Sequence, residues 1–243
     1  HLAHISFVLV PNGNPDGHFP GRGPAPTEES LRDAARTVVE MGADYGVGFD
    51  PDADRGLVID DQGRIVTPEK VAVILAKERY GPGDKVVAGF DCSMIVEREL
   101  LPLGFEVIRE RVGDVFVANR VKEEGAVLGV ERSAHFFIPE FQLSDDPFAM
   151  SLALGEIVSR GERLSKLADA IPDYPYVQRS IRTEGSAAEV MRRLETDLAS
   201  LEPDTTDGLK ISGEDYSVLI RPSNTQPLIR LYVETAGTDV DEL

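Results

Sequence analysis

Residues 85–130 read KVVAGFDCSMIVERELLPLGFEVIRERVGDVFVANRVKEEGAVLGV, and this stretch decides the fold class. Its apolar runs at 85–90, 105–108 and 127–130 are short and rich in valine and isoleucine, which suits strands rather than helices. Between them, 94–101 and 115–124 place apolar residues at helical spacing. The order strand, helix, strand, helix, strand is that of βαβ units, and it predicts an α/β block around a mostly parallel sheet.

Working outward, Thr67-Pro68-Glu69 reads as a helix start with proline where its missing N–H does no harm, and Gly81-Pro82-Gly83 ends that helix. A boundary near residue 67 follows. Further upstream, Thr27 can cap a helix with Glu28 and Glu29 in its first turn. Leu31, Ala34, Ala35, Val38 and Val39 supply its apolar face before Gly42 stops it. A strand at 45–49 follows, then a hairpin of 56–60 and 64–66 around Asp61-Gln62-Gly63. Residues 5–10 read as a further strand. Downstream, Ile171-Pro172-Asp173-Tyr174-Pro175 breaks the pattern, and a helix at 187–201 sits among short strands. Three units are expected: 1–66, 67–173 and a small α+β domain at 174–243.

The 243 residues, 42% of them hydrophobic, suffice for ordinary buried cores. No run approaches the roughly 20 apolar residues of a membrane span. The start, HLAHISFVLVPNG, lacks the basic region and small-residue cleavage site of a signal peptide. No membrane partner is expected, and a cytoplasmic home is the default. Cys92 has no thiol partner and is expected to be a small buried or half-buried side chain. The net charge of −18 would repel nucleic acid, so that partner is excluded. Only six of the 25 basic residues are lysine. That scarcity beside so many acids resembles proteins of salt-loving microbes, and an ordinary acidic enzyme is the competing reading.

Three polar loops carry candidate chemistry. In GFDPDADRG, residues 48–56, alternate positions of an extended chain share a side, so Asp50, Asp52 and Asp54 can converge. A hard divalent cation relieves their repulsion; all-oxygen ligation suits Mg²⁺, and Arg55 can then partner a phosphate beyond it. The same aspartates fit the first three positions of an EF-hand calcium loop with Asp61 at the twelfth, but Arg55 stands where that loop needs glycine and the flanks read as strands. A solvated acidic turn also competes, and the spacing alone does not separate it from a site. In GVERSAHFFI, Glu131, Ser133 and His135 follow a strand, and a carboxylate beside a hydroxyl suits paired sugar hydroxyls. A surface histidine is the plain alternative for His135. In LIRPSNTQPLIRL, Arg221, Ser223, Asn224 and Thr225 form a polar turn that can cradle phosphate, or a plain hairpin with a structural arginine.

The ordered set of these loops resembles the α-D-phosphohexomutase family, which includes phosphomannomutase, phosphoglucomutase and phosphoglucosamine mutase. DPDADR is similar to D-G-D-A-D-R, GVERSAH to G-E-x-S-G-H, RPSNTQPLIRLYVE to R-x-S-G-T-E-P, and RVGDVFV to the V-G-D segment; PDGHFPGRGPAPTEESL resembles the approach to the metal loop. The resemblance implies mixed-sheet α/β domains followed by a small α+β domain. It implies Mg²⁺ on Asp50, Asp52 and Asp54, and Arg55 beside the transferred phosphoryl group. It also implies Glu131, Ser133 and His135 at the sugar, and Arg221, Ser223, Asn224 and Thr225 at the other phosphate. The implied reaction moves a phosphoryl group between the 6- and 1-positions of a hexose through a phosphoserine enzyme and a bisphosphate, with glucose, mannose or glucosamine phosphate as substrate.

Four departures stand out. Pro51, Ala134 and Gln226 replace a glycine, a glycine and an acid of the pattern, and the serine motif T-A-S-H-N-P does not occur. Ser6 lies within a strand-like run. The chain is therefore expected to be the C-terminal portion of a longer mutase, lacking the N-terminal domain that carries the serine and inactive by itself. A non-catalytic sugar-phosphate or Mg²⁺-binding module is the alternative.

Overall fold

The computed structural model describes residues 6, 16–18, 23–183, 186–223 and 228–237. The strand expected at 5–10 and the positions Asn224, Thr225 and Gln226 lie outside the described residues. Helix α1 (Arg32–Met41) follows a turn in which Thr27 Oγ1 accepts the Ser30 N–H at 3.1 Å, so the capping residue stands one turn before regular α geometry begins. Gly42, at φ 62°, ends it. Strands β1 (Tyr45–Phe49), β2 (Gly56–Asp60) and β3 (Ile65–Val66) form an antiparallel sheet in that order. Leu31 and Val38 of this first unit bury themselves against Ile59, while Val39 turns to solvent. The helix lies directly on β1 because a Cβ on Gly46 would come within 2.7 Å of Val38 Cγ2, and one on Gly48 would overlap the Leu31 side chain.

The middle sheet runs β5-β4-β6-β7-β8, formed by β4 (Lys85–Gly89), β5 (Glu106–Glu110), β6 (Leu128–Val130), β7 (Phe136–Ile138) and β8 (Gln142–Asp145). Pairings β4–β5 and β4–β6 are parallel; β6–β7 and β7–β8 are antiparallel. The βαβ stretch pairs in parallel as its order predicts, and the two added antiparallel pairings make the sheet mixed, as the resemblance implies. The five residues between β6 and β7 cannot make the crossover that a parallel neighbour requires, so the chain turns back as a hairpin.

Val86 and Ala88 of β4 join the main core with α2 (Pro68–Arg79), α3 (Ile95–Leu100) and α5 (Pro147–Val158). Val87, between them, meets Val117 and Val121 of α4 (Asp114–Glu124) on the other face. This is the period-2 alternation of a strand covered on both sides. Helix α2 is apolar along most of its length, with Val71 to Ala76 all buried, and Thr67 caps it by accepting the Lys70 N–H. A short helix, α6 (Leu164–Asp169), completes this block.

The last sheet is antiparallel, β10-β11-β12-β9, built from β9 (Tyr176–Arg182), β10 (Leu209–Ser212), β11 (Tyr216–Pro222) and β12 (Leu228–Thr235). Helix α7 (Ala187–Asp197) packs on it, and the remainder of the helix expected to 201 is a 3₁₀ turn, Ala199–Leu201. Lys210 Nζ donates to the Phe90 carbonyl at 2.9 Å, and Phe90 packs against Leu219 and Tyr232. The Arg132 guanidinium lies 3.7 Å from the Tyr176 ring centroid. These contacts bring the antiparallel sheet to the C-terminal edge of β4 and β6. Among the described residues, no helix is long and apolar enough to cross a membrane.

Candidate functional site

The connection from β1 to β2 is a tight turn. The Ala53 N–H donates to the Asp50 carbonyl at 3.2 Å, with Ala53 itself at φ 60°, and the Asp50 N–H donates to the Arg55 carbonyl at 3.3 Å. That closure brings oxygens of Asp50, Asp52 and Asp54 within 4.8 Å of one another. Asp50 is buried, Asp54 half-buried and Asp52 exposed. The Asp50 carboxylate accepts the Arg55 N–H at 3.1 Å and Arg55 Nε at 2.6 Å. Burial alone would push the Asp50 carboxyl up, but the Arg55 N–H, the Asp54 carboxyl and the Arg55 guanidinium outweigh it and hold it low. Burial and the neighbouring Asp50 carboxylate push Asp54 the other way.

The donor set fits a hard divalent cation. Three carboxylates converge, and Asp54 Oδ1 is buried with no hydrogen-bond partner among the described residues, Arg55 Nε standing 3.5 Å away. Arg55 supplies positive charge to Asp50 in the arrangement described, through a bond a cation could replace. A second trio, Asp54, His135 and Asp145, also converges within 4.8 Å. Its imidazole is already engaged, with Nδ1 2.9 Å from Glu131 Oε2 and 2.8 Å from Ser133 Oγ.

Glu131 follows β6, and the 131–135 loop closes through two backbone bonds: the Glu131 N–H to the His135 carbonyl at 3.1 Å, and the Ala134 N–H to the Glu131 carbonyl at 3.0 Å. Ala134 sits at φ 74°, so this position keeps the left-handed backbone that favours glycine although alanine occupies it. Its carbonyl accepts the Gly56 N–H at 3.1 Å, which ties this loop directly to the end of the acidic one. His135 Nε2 lies 3.6 Å from Asp54 Oδ2 across the same junction. Burial would lower the pKa of His135, but Glu131, Asp54 and Asp145 outweigh it and raise it. Phe49 stacks on Phe148 of α5 with ring centroids 4.3 Å apart, bracing the start of the acidic loop against the middle block.

Arg221 closes the set from the antiparallel sheet. Its Nη2 lies 2.9 Å from Asp207, whose Oδ2 accepts the Val112 N–H at 2.8 Å. The next N–H, that of Gly113, donates to Glu131 Oε1 at 2.7 Å. The structure thus brings Asp50, Asp52, Asp54, Arg55, Glu131, Ser133 and His135 together and links Arg221 to them by a chain of hydrogen bonds. The Ser223 N–H donates to the Leu228 carbonyl at 2.9 Å, closing the base of the turn; Asn224 and Thr225 lie outside the described residues.

Sequence reasoning missed Asp207 and Asp145. Asp207 lies in an acidic turn of an acidic chain and carries no local signal. The Val112-Gly113 donors did have one, in the RVGDVFV stretch.

Three consecutive parts of the chain match models of one family. Residues 5–63 match Phosphoglucomutase/phosphomannomutase, alpha/beta/alpha domain II; 67–174 match alpha/beta/alpha domain III; and 179–242 match the C-terminal domain. A Methanopyrus kandleri protein named "Probable phosphoglucosamine mutase" is 38% identical over 239 residues, covering 96% of this chain and 53% of its own length. A Thermococcus kodakarensis protein named "Phosphoglucomutase/phosphomannomutase" is 33% identical over 238 residues, covering 96% and 52%. The chain spans about half the length of the curated relatives it matches. A crystal structure of a phosphoglucomutase/phosphomannomutase family protein from Burkholderia thailandensis superposes with a TM-score of 0.80 at 27% identity, covering 90% of this chain and 49% of that one. With these three matches running in order along nearly the whole chain, the chain belongs to the phosphoglucomutase/phosphomannomutase family.

Proposed function

We propose that this chain carries the metal, sugar and distal-phosphate loops of a phosphohexomutase, an isomerase that interconverts hexose 6-phosphate and hexose 1-phosphate through a phosphoserine enzyme and a bisphosphate. The observation that carries the reading is the junction at Gly56 and Ala134, with His135 beside Asp54, which sets a carboxylate trio next to a carboxylate, hydroxyl and imidazole loop. Asp50, Asp52 and Asp54 would hold Mg²⁺, which would supply charge neutralisation to the phosphoryl group in transfer. Arg55, paired with Asp50 in the structure, would offer its donor fork to the phosphoryl oxygens with the metal bound. Glu131 accepts from sugar hydroxyls, Ser133 shares that contact, and His135 orients both. Arg221, Ser223, Asn224 and Thr225 hold the phosphate that does not react. The three units 1–66, 67–173 and 174–243 each contribute one loop.

The test is calorimetry on the 243-residue chain. Mg²⁺ is expected to bind more tightly when a hexose 6-phosphate is present, and Asp52→Asn to weaken Mg²⁺ at least about tenfold, or about 1.4 kcal/mol. Calcium binding that ignores sugar phosphate, or no sugar-phosphate binding, overturns the reading. Because no T-A-S-H-N-P-like motif lies within residues 1–243, this chain alone is expected to show no interconversion. Turnover by it would refute the requirement for that serine. Supplying the serine-bearing portion without gaining turnover would favour a binding module.

A further inference from the structure

Arg221 is a demanding group to leave unattached. An arginine side chain loses roughly 2 kcal/mol of rotamer freedom when it is held, and its fork grips phosphate well only when already oriented. Here one carboxylate holds it. Asp207 Oδ1 and Oδ2 lie 3.1 and 2.9 Å from Arg221 Nη2, while Arg221 Nε is covered and has no hydrogen-bond partner among the described residues. Nη2 carries two hydrogens, so Asp207 can hold one of them while the other hydrogens of the two terminal nitrogens remain for an anion and Nε stays covered.

The placement of Asp207 is built into the turn that carries it. Gly208 follows at φ 94°, and a Cβ there would overlap the Ile220 carbonyl and come within 2.9 Å of Arg221 Cγ. Only glycine lets that turn lie close against β11 and bring the Asp207 carboxylate under the guanidinium. The same carboxylate reaches the end of β5, where consecutive N–H groups of Val112 and Gly113 serve two carboxylates, Asp207 at 2.8 Å and Glu131 at 2.7 Å. Asp207 and Glu131 come from loops that border different sheets, so these two peptide units set the distance between the Arg221 end and the 131–135 loop.

We propose that Asp207 is a positioning residue of the phosphate subsite, holding Arg221 at Nη2 so that the rest of its fork can meet a phosphate and tying it through Val112 and Gly113 to Glu131. The proposal rests on the reading of Arg221 as a phosphate contact. Asp207 does not act as a competing anion, because its charge is taken up by the Val112 N–H and by only one of the five guanidinium hydrogens.

The experiment titrates the 243-residue chain and its variants with glucose 6-phosphate and, separately, with MgCl₂. Asp207→Asn keeps an oxygen for the Val112 N–H but turns a neutral amide toward Arg221. It is expected to weaken glucose 6-phosphate at least about tenfold while leaving Mg²⁺ affinity within about twofold. Arg221→Lys should show the same loss, and the Asp207→Asn/Arg221→Lys double variant little more than either single change. Three results would overturn the proposal: unchanged or tighter glucose 6-phosphate binding by Asp207→Asn, equal losses for phosphate and Mg²⁺, or additive single effects. Wild-type chain that binds no hexose phosphate would overturn the function proposed above and this inference with it. A variant-free check is the Arg221 Nε–H resonance of the wild-type chain. Restricted motion before ligand and a shift on adding glucose 6-phosphate are expected, whereas free motion before ligand contradicts positioning.

Discussion

At the residue scale, Asp91 shows how a carboxyl is set by its surroundings. It follows the end of β4, and its Oδ1 is buried without a hydrogen-bond partner among the described residues. Burial pushes its pKa up to about 6, with Arg132 and Arg221 only partly offsetting the loss of water. A carboxyl whose folded pKa lies above the ordinary value of about 3.9 favours the folded state while protonated. That stability is complete below about pH 4 and lost as pH rises through about 6. Asp91→Asn, which carries no charge to bury, is expected to be more stable than the parent by about 1–3 kcal/mol at pH 7.5, with the difference vanishing near pH 4. Paired urea titrations across that range check both the size and the direction. Cys92, next in the chain, is buried as its composition context suggested, and burial raises its thiol pKa well above the ordinary value.

At the scale of elements, the contact of α1 with β1 depends on the absence of two side chains. A methyl group on Gly48 would overlap Leu31, which is 3% exposed and has no open direction in which to yield. Gly48→Ala is therefore expected to destabilise the chain by about 1–3 kcal/mol, read from denaturant midpoints at unchanged slope. Gly17, with nothing within 4 Å of a built Cβ, is the matched control, and Gly17→Ala should stay within about 0.5 kcal/mol. Helix α2 makes a second case. Thr67→Ala removes the acceptor for the Lys70 N–H at the head of a helix whose core face is wholly buried, and about 1 kcal/mol should be lost.

At the scale of the whole molecule, a net charge of −18 sets how the protein responds to salt. Self-repulsion among 43 acidic side chains opposes the compact state, and molar salt shortens the screening length to about 3 Å. If the acidic, lysine-poor surface belongs to a salt-adapted protein, the melting temperature should climb steadily from dilute buffer to molar KCl, with loss of cooperative folding at the dilute end. A melting temperature that does not move with salt removes that reading. The antiparallel sheet meets the middle one partly through buried polar contacts, among them Lys210, whose pKa burial lowers to about 8. The penalty for burying its ammonium is complete below about pH 8 and lifts as pH rises from there toward the ordinary lysine value of 10.5, so docking gains from this group over that window.

Much of the architecture was written in neighbouring residues. The βαβ order, the Thr67 start of α2, the 56–66 hairpin and the convergence of three aspartates all follow from periods, caps and turn chemistry that act over a few positions. Other features needed the folded chain. The turn-back that places β7 beside β6, the orphaned oxygen of Asp54, the bond from Gly56 to Ala134 and the pairing of Asp207 with Arg221 join residues whose local sequence does not announce a partner. A short polar loop or an acidic turn has many solvated conformations of similar energy, and only the packing of one sheet against another selects among them.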